Sequence, residues 1–259
     1  MIRFILTLLF VILFLILFLP VMLVEWIIGL FNKYTGDLAS LRTVQWAFKV
    51  CLFLSGVKLN IKGLENLPKK GDKPVLFVGN HNSFFDVMIM YTLFNDLTGF
   101  IAKKSFKKVP SLNLWMMRLY CLFLDRKDRR AGVKTILEGV ENVKNGVSMF
   151  IFPEGTRSHE EGHLGYFHAG SFKLATKAQA RIIPVAFSNS GAIWDDHLPW
   201  IHRTTMICEF CEPIETKDMT QEDINELPGR VRDIIYERHI ANSRSLGSLP
   251  KDFERPAED

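Results

Sequence analysis

The sequence predicts an α/β domain with a largely parallel sheet flanked by helices, preceded by an N-terminal membrane-associated helical segment. Three observations predict this fold class. From residue 57 onward, short apolar runs alternate with stretches whose apolar residues recur at helical spacing, as expected around a parallel sheet. The amino-terminal end is almost uniformly apolar. Two polar segments, 80–86 and 152–158, directly follow apolar runs, and strand ends are where such sheets place their sites.

The amino-terminal apolar segment is long enough to cross a membrane. Between residues 4 and 24 only Thr7 and Pro20 are not strongly apolar, and about twenty apolar residues cross a bilayer core. A signal peptide has a shorter apolar core and a small-residue cleavage site, which this segment lacks. We therefore expect a membrane segment. Pro20 is a candidate kink, so a spanning helix and a helix buried in one leaflet both stay open.

A second amino-terminal helix is predicted at residues 38–54. Its apolar positions at helical spacing are Leu41, Val44, Ala47, Phe48 and Cys51. Trp46 and the basic residues suit a helix that lies at the headgroups, and an ordinary helix that covers a core fits the pattern nearly as well. The basic residues after the first segment outnumber those before it, which favours an α/β domain that faces the cytoplasm.

The elements of the α/β domain follow from the alternation of patterns. We assign residues 1–56 to the amino-terminal membrane helices, 57–241 to the α/β domain and 242–259 to a polar tail predicted to be disordered. The predicted strands are 57–61, 75–78, 99–102, 122–124, 148–152, 182–187 and 205–210. The predicted helices of this domain are 84–94, 112–119, 131–144, 171–178 and 221–240.

The charge is unevenly distributed along the chain. Residues 103–134 contain ten Lys/Arg and two Asp, although the whole chain carries a net charge of only +4. This excess suggests an anionic partner, and a solvated basic face is an equal alternative. Nucleic acid is disfavoured, because no nucleic-acid-binding pattern is present. The four cysteines do not resemble a disulfide framework. Cys208-x-x-Cys211 is the one pair with metal or redox spacing, but it falls in a predicted strand and no second pair accompanies it.

The segment 80–86 places a histidine and a carboxylate five positions apart, at His81 and Asp86. On a regular helix they would lie roughly 140° apart around the axis. The spacing works if His81 lies in the turn before a helix, with Ser83 as its N-cap and Asp86 in its first turn. Asp86 then reaches one imidazole nitrogen and leaves the other free to take a proton. Taken alone, a helix cap beside an ordinary loop histidine explains this segment as well.

The segment 152–158, Phe-Pro-Glu-Gly-Thr-Arg-Ser, adds a glycine, an arginine and a carboxylate in one turn after a strand. With His81-x-x-x-x-Asp86, at this order and distance, it resembles the glycerolipid acyltransferase family, whose typical member is 1-acyl-glycerol-3-phosphate acyltransferase. The resemblance covers residues 75–187. It implies a membrane-bound enzyme that moves a fatty acyl group from acyl-CoA or acyl-carrier protein to the free hydroxyl of lysophosphatidic acid. No metal and no further cofactor are expected.

The chemistry of that transfer assigns roles at the two segments. His81 is the candidate general base, and Asp86 orients the imidazole and stabilises the imidazolium. The turn at Gly155, with Thr156 beside it, is the candidate donor of backbone N–H groups to the oxyanion. The alternative is a glycine required only by the turn. Glu154 either holds substrate hydroxyls or structures the turn.

The acceptor's phosphate requires fixed cations. Arg157 is the first candidate, because a guanidinium binds phosphate in bidentate fashion. The resemblance adds Arg126, from an element that ends in Asp-Arg, and Lys103, from an Ala-Lys element. The glycine usual three residues before the phenylalanine of the Arg126 element is replaced by Tyr120, which leaves the local backbone conformation open.

Two alternative functions stay open. One is an acyltransferase whose acceptor is another lysolipid, a lysophospholipid or an amino-acid lysolipid. A non-catalytic membrane module that binds anionic lipid would use the basic region 103–134. A hydrolase is disfavoured because no Gly-x-Ser-x-Gly elbow is present.

Overall fold

A computed structural model of the chain describes residues 1–250 and 252–254. The strands are β1 (Lys58–Lys62), β2 (Leu76–Gly79), β3 (Thr98–Lys103), β4 (Leu122–Leu124), β5 (Ser148–Ile151), β6 (Ile182–Ser188) and β7 (Thr205–Phe210). They form one seven-stranded sheet in the order β1-β7-β6-β2-β5-β3-β4. β6, β2, β5, β3 and β4 are mutually parallel, and β7 pairs antiparallel with β6 and parallel with β1. The predicted α/β fold with a largely parallel sheet is confirmed.

Helices cover both faces of this sheet. They are α1 (Ile2–Leu17), α2 (Leu19–Phe31), α3 (Lys33–Ser55), α4 (Phe84–Leu93), α5 (Leu112–Arg118), α6 (Arg129–Lys144), α7 (Lys173–Ala178) and α8 (Gln221–Leu246). Successive strand residues point to opposite faces, so Phe77 packs in a cluster with residues of α3, α4 and α5, and Val78 packs in another with residues of α6, α7 and α8. The predicted elements of the α/β domain are present, with shifted ends.

The amino-terminal apolar segment is two helices rather than one. The chain breaks at Phe18, where α1 and α2 meet at a bend of 48°. Pro20 lies in the first turn of α2, where a missing N–H costs no helical hydrogen bond. Among the described residues no single helix is long and apolar enough to cross a membrane, whereas α1 and α2 together satisfy the length and composition. Most of their apolar side chains are exposed.

The helix predicted at 38–54 begins earlier, at Lys33, and covers the core. Leu41, Val44 and Ala47 are buried in the same cluster as residues of α4 and of the central strands. Trp46, on another side of α3, is about half exposed. The core-covering alternative therefore describes α3. This helix ends next to the predicted domain boundary at residue 56, and the division into domains stays a prediction.

A buried ion-pair network joins α3 to the sheet domain. The Asp37 carboxylate is 2% exposed and accepts from Lys33 at 2.7 Å and from Arg118 at 3.1 Å. Arg118 also donates to the Glu25 backbone carbonyl at 2.9 Å and to the Ser40 hydroxyl at 3.1 Å. One guanidinium thus holds α2, α3 and α5 together.

Tyr120 adopts the backbone conformation that a glycine would favour. Its φ is +58°, a left-handed geometry that costs an ordinary residue roughly 1–2 kcal/mol. The Tyr120 hydroxyl donates to Asp37, and Lys33 also contacts it. At this position before β4 the tyrosine takes a left-handed backbone conformation, which glycine adopts without steric cost, and its side chain adds a contact to α3.

The prediction of disorder from residue 242 is wrong for its first five residues. Helix α8 continues to Leu246 and ends at Gly247, whose φ is +68°. Asn242 is buried and hydrogen-bonded to Lys62 and Glu209 at 2.7 Å each. These polar side chains hold the end of the helix against β1 and β7. Residue 251 and residues 255–259 of the predicted tail lie outside the described residues.

We predict that Asp37→Ala lowers the free energy of unfolding by about 3 kcal/mol, because it leaves the Arg118 guanidinium without its buried partner. Lys33→Met removes the exposed partner of the same carboxylate and should cost less than about 1 kcal/mol. Urea unfolding in detergent, followed by circular dichroism, measures both. Equal losses in the two variants would contradict the role given to Arg118.

Candidate active site

The candidate residues of the sequence follow four neighbouring strands. β2, β5, β3 and β4 are adjacent in this order and parallel, so their carboxyl ends lie at one edge of the sheet. His81 follows β2, the turn 152–158 follows β5, Lys103 ends β3, and Arg126 follows β4. Adjacent strands are ~4.8 Å apart, so this edge brings together segments that are distant in sequence.

The chain after β2 is fixed by Asn80. This buried side chain accepts from the Phe187 N–H at 2.8 Å and donates to the Phe187 carbonyl at 2.9 Å, and it therefore continues the pairing with β6 beyond the end of the strand. Ser83 is the N-cap of α4, and its side chain and that of Asp86 form the predicted capping box. His81 lies in the turn between these two fixed points.

The Asp86 carboxylate reaches the His81 ring, as predicted. Its Oδ2 lies 3.0 Å from Nδ1 of His81 and accepts the backbone N–H groups of Asn82 and Ser83 at 2.9 and 2.8 Å. Asp86 is fully buried, and Oδ1 has no partner among the described residues. With Nδ1 as the donor to Asp86, Nε2 of His81 is an acceptor, and 16% of this side chain is exposed.

The His81 ring also stacks on Phe152. The ring centroids are 3.9 Å apart and the planes are inclined by 14°. Phe152 follows β5 directly, so the strand end supplies a flat apolar surface that fixes the plane of the imidazole. Phe152 belongs to the recognised segment, but no role for it was predicted from the sequence.

The turn after β5 holds the His81 backbone on both sides. Oε1 of Glu154 accepts the His81 N–H at 2.8 Å, and the Ser158 N–H donates to the His81 carbonyl at 2.8 Å. Oε2 of Glu154 accepts the Gly165 N–H, also at 2.8 Å. Both carboxylate oxygens of Glu154 thus bind backbone groups, which favours the structural alternative for this residue.

The Glu154 carboxylate is only 7% exposed. Burial raises the pKa of Glu154 to about 7, against the opposing effect of the two hydrogen bonds from Gly165 and His81. Asp86 nearby acts in the same direction as burial. Near neutral pH, the group that holds the His81 backbone is therefore close to its own titration.

Gly155 is required by the turn itself. Its φ is +71°, a conformation that glycine adopts without steric cost. Its N–H donates to the Phe152 carbonyl at 3.1 Å, so this N–H is engaged in the fold. Within the described part of the chain, the N–H groups of Thr156 and Arg157 make no hydrogen bond. Thr156 therefore stays a candidate oxyanion donor, the N–H of Arg157 joins it, and that of Gly155 is engaged in the turn.

Arg157 has a partner that the sequence did not suggest. Its guanidinium forms an ion pair with Asp195 and lies over the Phe84 ring at 4.1 Å. Asp195 lies in a short 3-10 turn, Asp195–His197, after β6, and it also accepts from the Ser83 hydroxyl. Nothing in the local pattern around Asp195 points to this contact, because its partners are remote in the sequence.

Lys103 and Arg126 lie at the same edge without contacting the central residues. Both are exposed, and neither side chain has a hydrogen bond or an ion pair among the described residues. Lys103 pairs in register with Leu124, so the two cations belong to adjacent strands. The edge thus presents the His81–Asp86 pair, then the Arg157 turn, then two exposed cations.

Comparison with known proteins gives a consistent result. The family model described as Acyltransferase matches residues 58–188. The 1-acyl-sn-glycerol-3-phosphate acyltransferase of Saccharomyces cerevisiae is 34% identical over 198 residues, which are 76% of this chain and 64% of the yeast protein. The chloroplastic 1-acyl-sn-glycerol-3-phosphate acyltransferase LPAT1 of Arabidopsis thaliana is 38% identical over 52% of this chain and 37% of its own length. The chain thus spans less than two thirds of either relative.

A bacterial relative and a solved structure extend the comparison. The 1-acyl-sn-glycerol-3-phosphate acyltransferase of Borreliella burgdorferi is 27% identical over 73% of this chain and 75% of its own. The crystal structure of the 1-acyl-sn-glycerophosphate (LPA) acyltransferase PlsC from Thermotoga maritima matches with a TM-score of 0.75 at 22% identity. It covers 97% of this chain and 96% of that chain. The two chains share their fold, including the amino-terminal helices.

We predict a pH-dependent stability difference between the wild type and Glu154→Gln. The raised pKa of about 7, against 4.5 for an ordinary glutamate, means that the folded state binds this proton more tightly than the unfolded chain. The resulting stabilisation is complete below the unfolded pKa and is lost as the pH rises through the folded pKa. The free energy of unfolding of the wild type should therefore fall relative to that of Glu154→Gln between about pH 4.5 and 7.

Urea unfolding at a series of pH values measures this difference. The loss of one acceptor in Glu154→Gln adds an offset that does not depend on pH. Glu160→Gln, at an exposed position of the same loop, is the control. Its free energy of unfolding should differ from that of the wild type by the same amount at every pH. A constant difference between the wild type and Glu154→Gln over this range would contradict the prediction.

Proposed function

The chain belongs to the acyltransferase family, and we propose that it transfers a fatty acyl group from acyl-CoA or acyl-carrier protein to the sn-2 hydroxyl of lysophosphatidic acid. The product is phosphatidic acid. The observation that carries this proposal is the His81 ring, bound by Asp86 through Nδ1 at 3.0 Å and partly open to solvent at the carboxyl edge of the sheet. The choice of acceptor is supported by the relatives, which are 1-acyl-sn-glycerol-3-phosphate acyltransferases.

His81 acts as the general base. The donor is a thioester, which is already activated, so the step that needs help is removal of the proton from a weakly acidic hydroxyl. Neutral imidazole suits this task near pH 7. Asp86 keeps the proton on Nδ1, so that Nε2 accepts, and stabilises the imidazolium as it forms. The stacked Phe152 ring, 3.9 Å away, limits rotation of the imidazole.

The transfer is direct, without an acyl-enzyme intermediate. The acceptor oxygen bonds to the thioester carbonyl carbon while its proton passes to Nε2 of His81. The carbonyl electrons move onto oxygen, and the N–H groups of Thr156 and Arg157 stabilise this oxyanion. When the carbonyl re-forms, the C–S bond breaks and the thiolate takes the proton back from the imidazolium. The proton and the electrons balance without a metal or a further cofactor.

The acceptor's phosphate is bound by cations of the same edge. Arg157 lies over the ring of Phe84, at the start of α4, the helix that also carries Asp86. Lys103 and Arg126 are exposed and without a protein partner among the described residues, so they are free to bind phosphate. Guanidinium and ammonium groups bind phosphate oxygens by charge-assisted hydrogen bonds.

The enzyme works at a membrane surface. Many apolar side chains of α1 and α2 are exposed, among them Ile5, Leu9 and Trp26, and exposed apolar surface of this kind suits contact with lipid. The excess of basic residues after the apolar segment favours a site that faces the cytoplasm. The lysolipid then reaches the site from the bilayer, and the water-soluble donor reaches it from the other side.

We predict that His81→Ala lowers acyl transfer by roughly a thousandfold, the usual contribution of a general base. Release of free thiol from acyl-CoA, dependent on added lysophosphatidic acid, measures the rate. His163→Ala changes an exposed histidine of the 159–165 loop and should keep full activity. Near-normal transfer by folded His81→Ala would remove the base assignment.

We further predict that Arg157→Ala discriminates between acceptors. The value of kcat/KM for lysophosphatidic acid should fall at least about tenfold, the loss of one charge-assisted hydrogen bond. Transfer to a monoacylglycerol, which lacks the phosphate, should fall much less. Arg181→Ala, at the amino end of β6, is the control. Equal losses for the two acceptors would show that Arg157 does not bind the phosphate.

A further inference from the structure

Three groups of the candidate site converge on Asp195, which belongs to neither recognised segment. The residue lies between β6 and β7, in the turn Asp195–His197, and is 7% exposed. Its Oδ2 accepts the hydroxyl of Ser83 and the N–H of Phe84, the latter at 3.3 Å. Its Oδ1 accepts from Nη1 of Arg157. One carboxylate thus connects the N-terminus of α4 to the arginine of the turn after β5.

The contact leaves part of the guanidinium free. Asp195 is the only hydrogen-bond partner of Arg157 within residues 1–250 and 252–254, and it binds one of the five N–H donors of that side chain. The Phe84 ring supports one face of the guanidinium at 4.1 Å, and 28% of the side chain is exposed. A planar group held at one edge and on one face keeps its remaining donors in a fixed direction.

The ion pair has two opposite effects on an anionic ligand. The negative charge of Asp195 reduces the attraction of Arg157 for a phosphate. The same contact removes the rotational freedom that a long side chain would lose on binding. Of the three candidate cations, Lys103 and Arg126 have no such restraint within the described residues, so Arg157 is the one whose direction is fixed before the ligand arrives.

We propose that Asp195 is a positioning residue that directs Arg157 toward the phosphate of the acceptor and fixes it relative to α4, the helix that carries Asp86. The proposal rests on the proposed function for the identity of the acceptor. It assigns to Asp195 a share in recognition of the phosphate and no direct part in the proton transfer. Because Asp195 fixes Arg157 relative to α4, it also fixes the position of the bound phosphate relative to the reacting hydroxyl at His81.

The test is Asp195→Asn, which keeps the size of the side chain and one oxygen acceptor but removes the charge. We expect KM for lysophosphatidic acid to rise about tenfold, the loss of one charge-assisted contact, with a smaller change in kcat. Transfer to monoacylglycerol should change less than twofold. Asp196→Asn, the exposed neighbour, should leave both acceptors unchanged.

A double variant separates positioning from a general structural effect. If Asp195 acts through Arg157, the double variant Asp195→Asn with Arg157→Ala should have the same KM for lysophosphatidic acid as Arg157→Ala alone. Additive losses, or equal losses for lysophosphatidic acid and monoacylglycerol in Asp195→Asn, would overturn the proposal. The proposal would also be overturned if Asp195→Asn left KM for lysophosphatidic acid unchanged.

Binding without turnover distinguishes this proposal from the proposed function. Calorimetric titration of lysophosphatidic acid in detergent micelles gives Kd for the wild type and for Asp195→Asn, with monoacylglycerol as the reference. A tenfold weaker Kd confined to lysophosphatidic acid supports the role of Asp195 even if no acyl transfer is found, in which case only the proposed reaction fails. An unchanged Kd, or a wild type that does not distinguish the two lipids, overturns the role of Asp195.

Discussion

The geometry of the site depends on one buried carboxylate. Asp86 is fully buried, and its Oδ2 accepts two consecutive peptide N–H groups and lies 3.0 Å from Nδ1 of the His81 ring. Its place in the first turn of α4 adds the favourable field of a helix N-terminus. A carboxylate so held does not move, and the ring bound to it keeps one orientation. The same group caps a helix and fixes a histidine, so the two explanations of the sequence pattern are not exclusive.

The parallel sheet supplies the second constraint. β2 and β5 are neighbours, and the turn after β5 binds the His81 peptide through Glu154 on one side and Ser158 on the other. Phe152 from the same turn packs on the ring. The two recognised segments, about seventy residues apart, therefore form one rigid unit, in which the second segment holds the first. This explains why either segment alone carries little information about function.

The sequence allowed the local geometry to be predicted because short-range contacts determine it. The His81–Asp86 pair and the Ser83 cap follow from a five-residue spacing, and the strands follow from apolar runs.

Long-range contacts could not be predicted in this way. Asp195 meets Ser83 across 112 positions, and the sequence around it shows no pattern. Pro20 signalled a kink in the apolar segment, and the break falls two residues earlier, at Phe18, because the proline takes a place in the first turn of α2. At the other end, the helix continues past residue 241 because Asn242 bonds to Lys62 and Glu209, although the apolar pattern has ended.

The most direct test of this account is the proton position on the His81 ring. Nitrogen-15 NMR of histidine-labelled protein above pH 8, with the His81 resonances assigned by their loss in His81→Gln, identifies which nitrogen carries the proton. The account predicts a neutral ring protonated on Nδ1, with Nε2 free, and a loss of that preference in Asp86→Asn. A ring protonated on Nε2 in the wild type would contradict it, because no acceptor for the hydroxyl proton would then face the site.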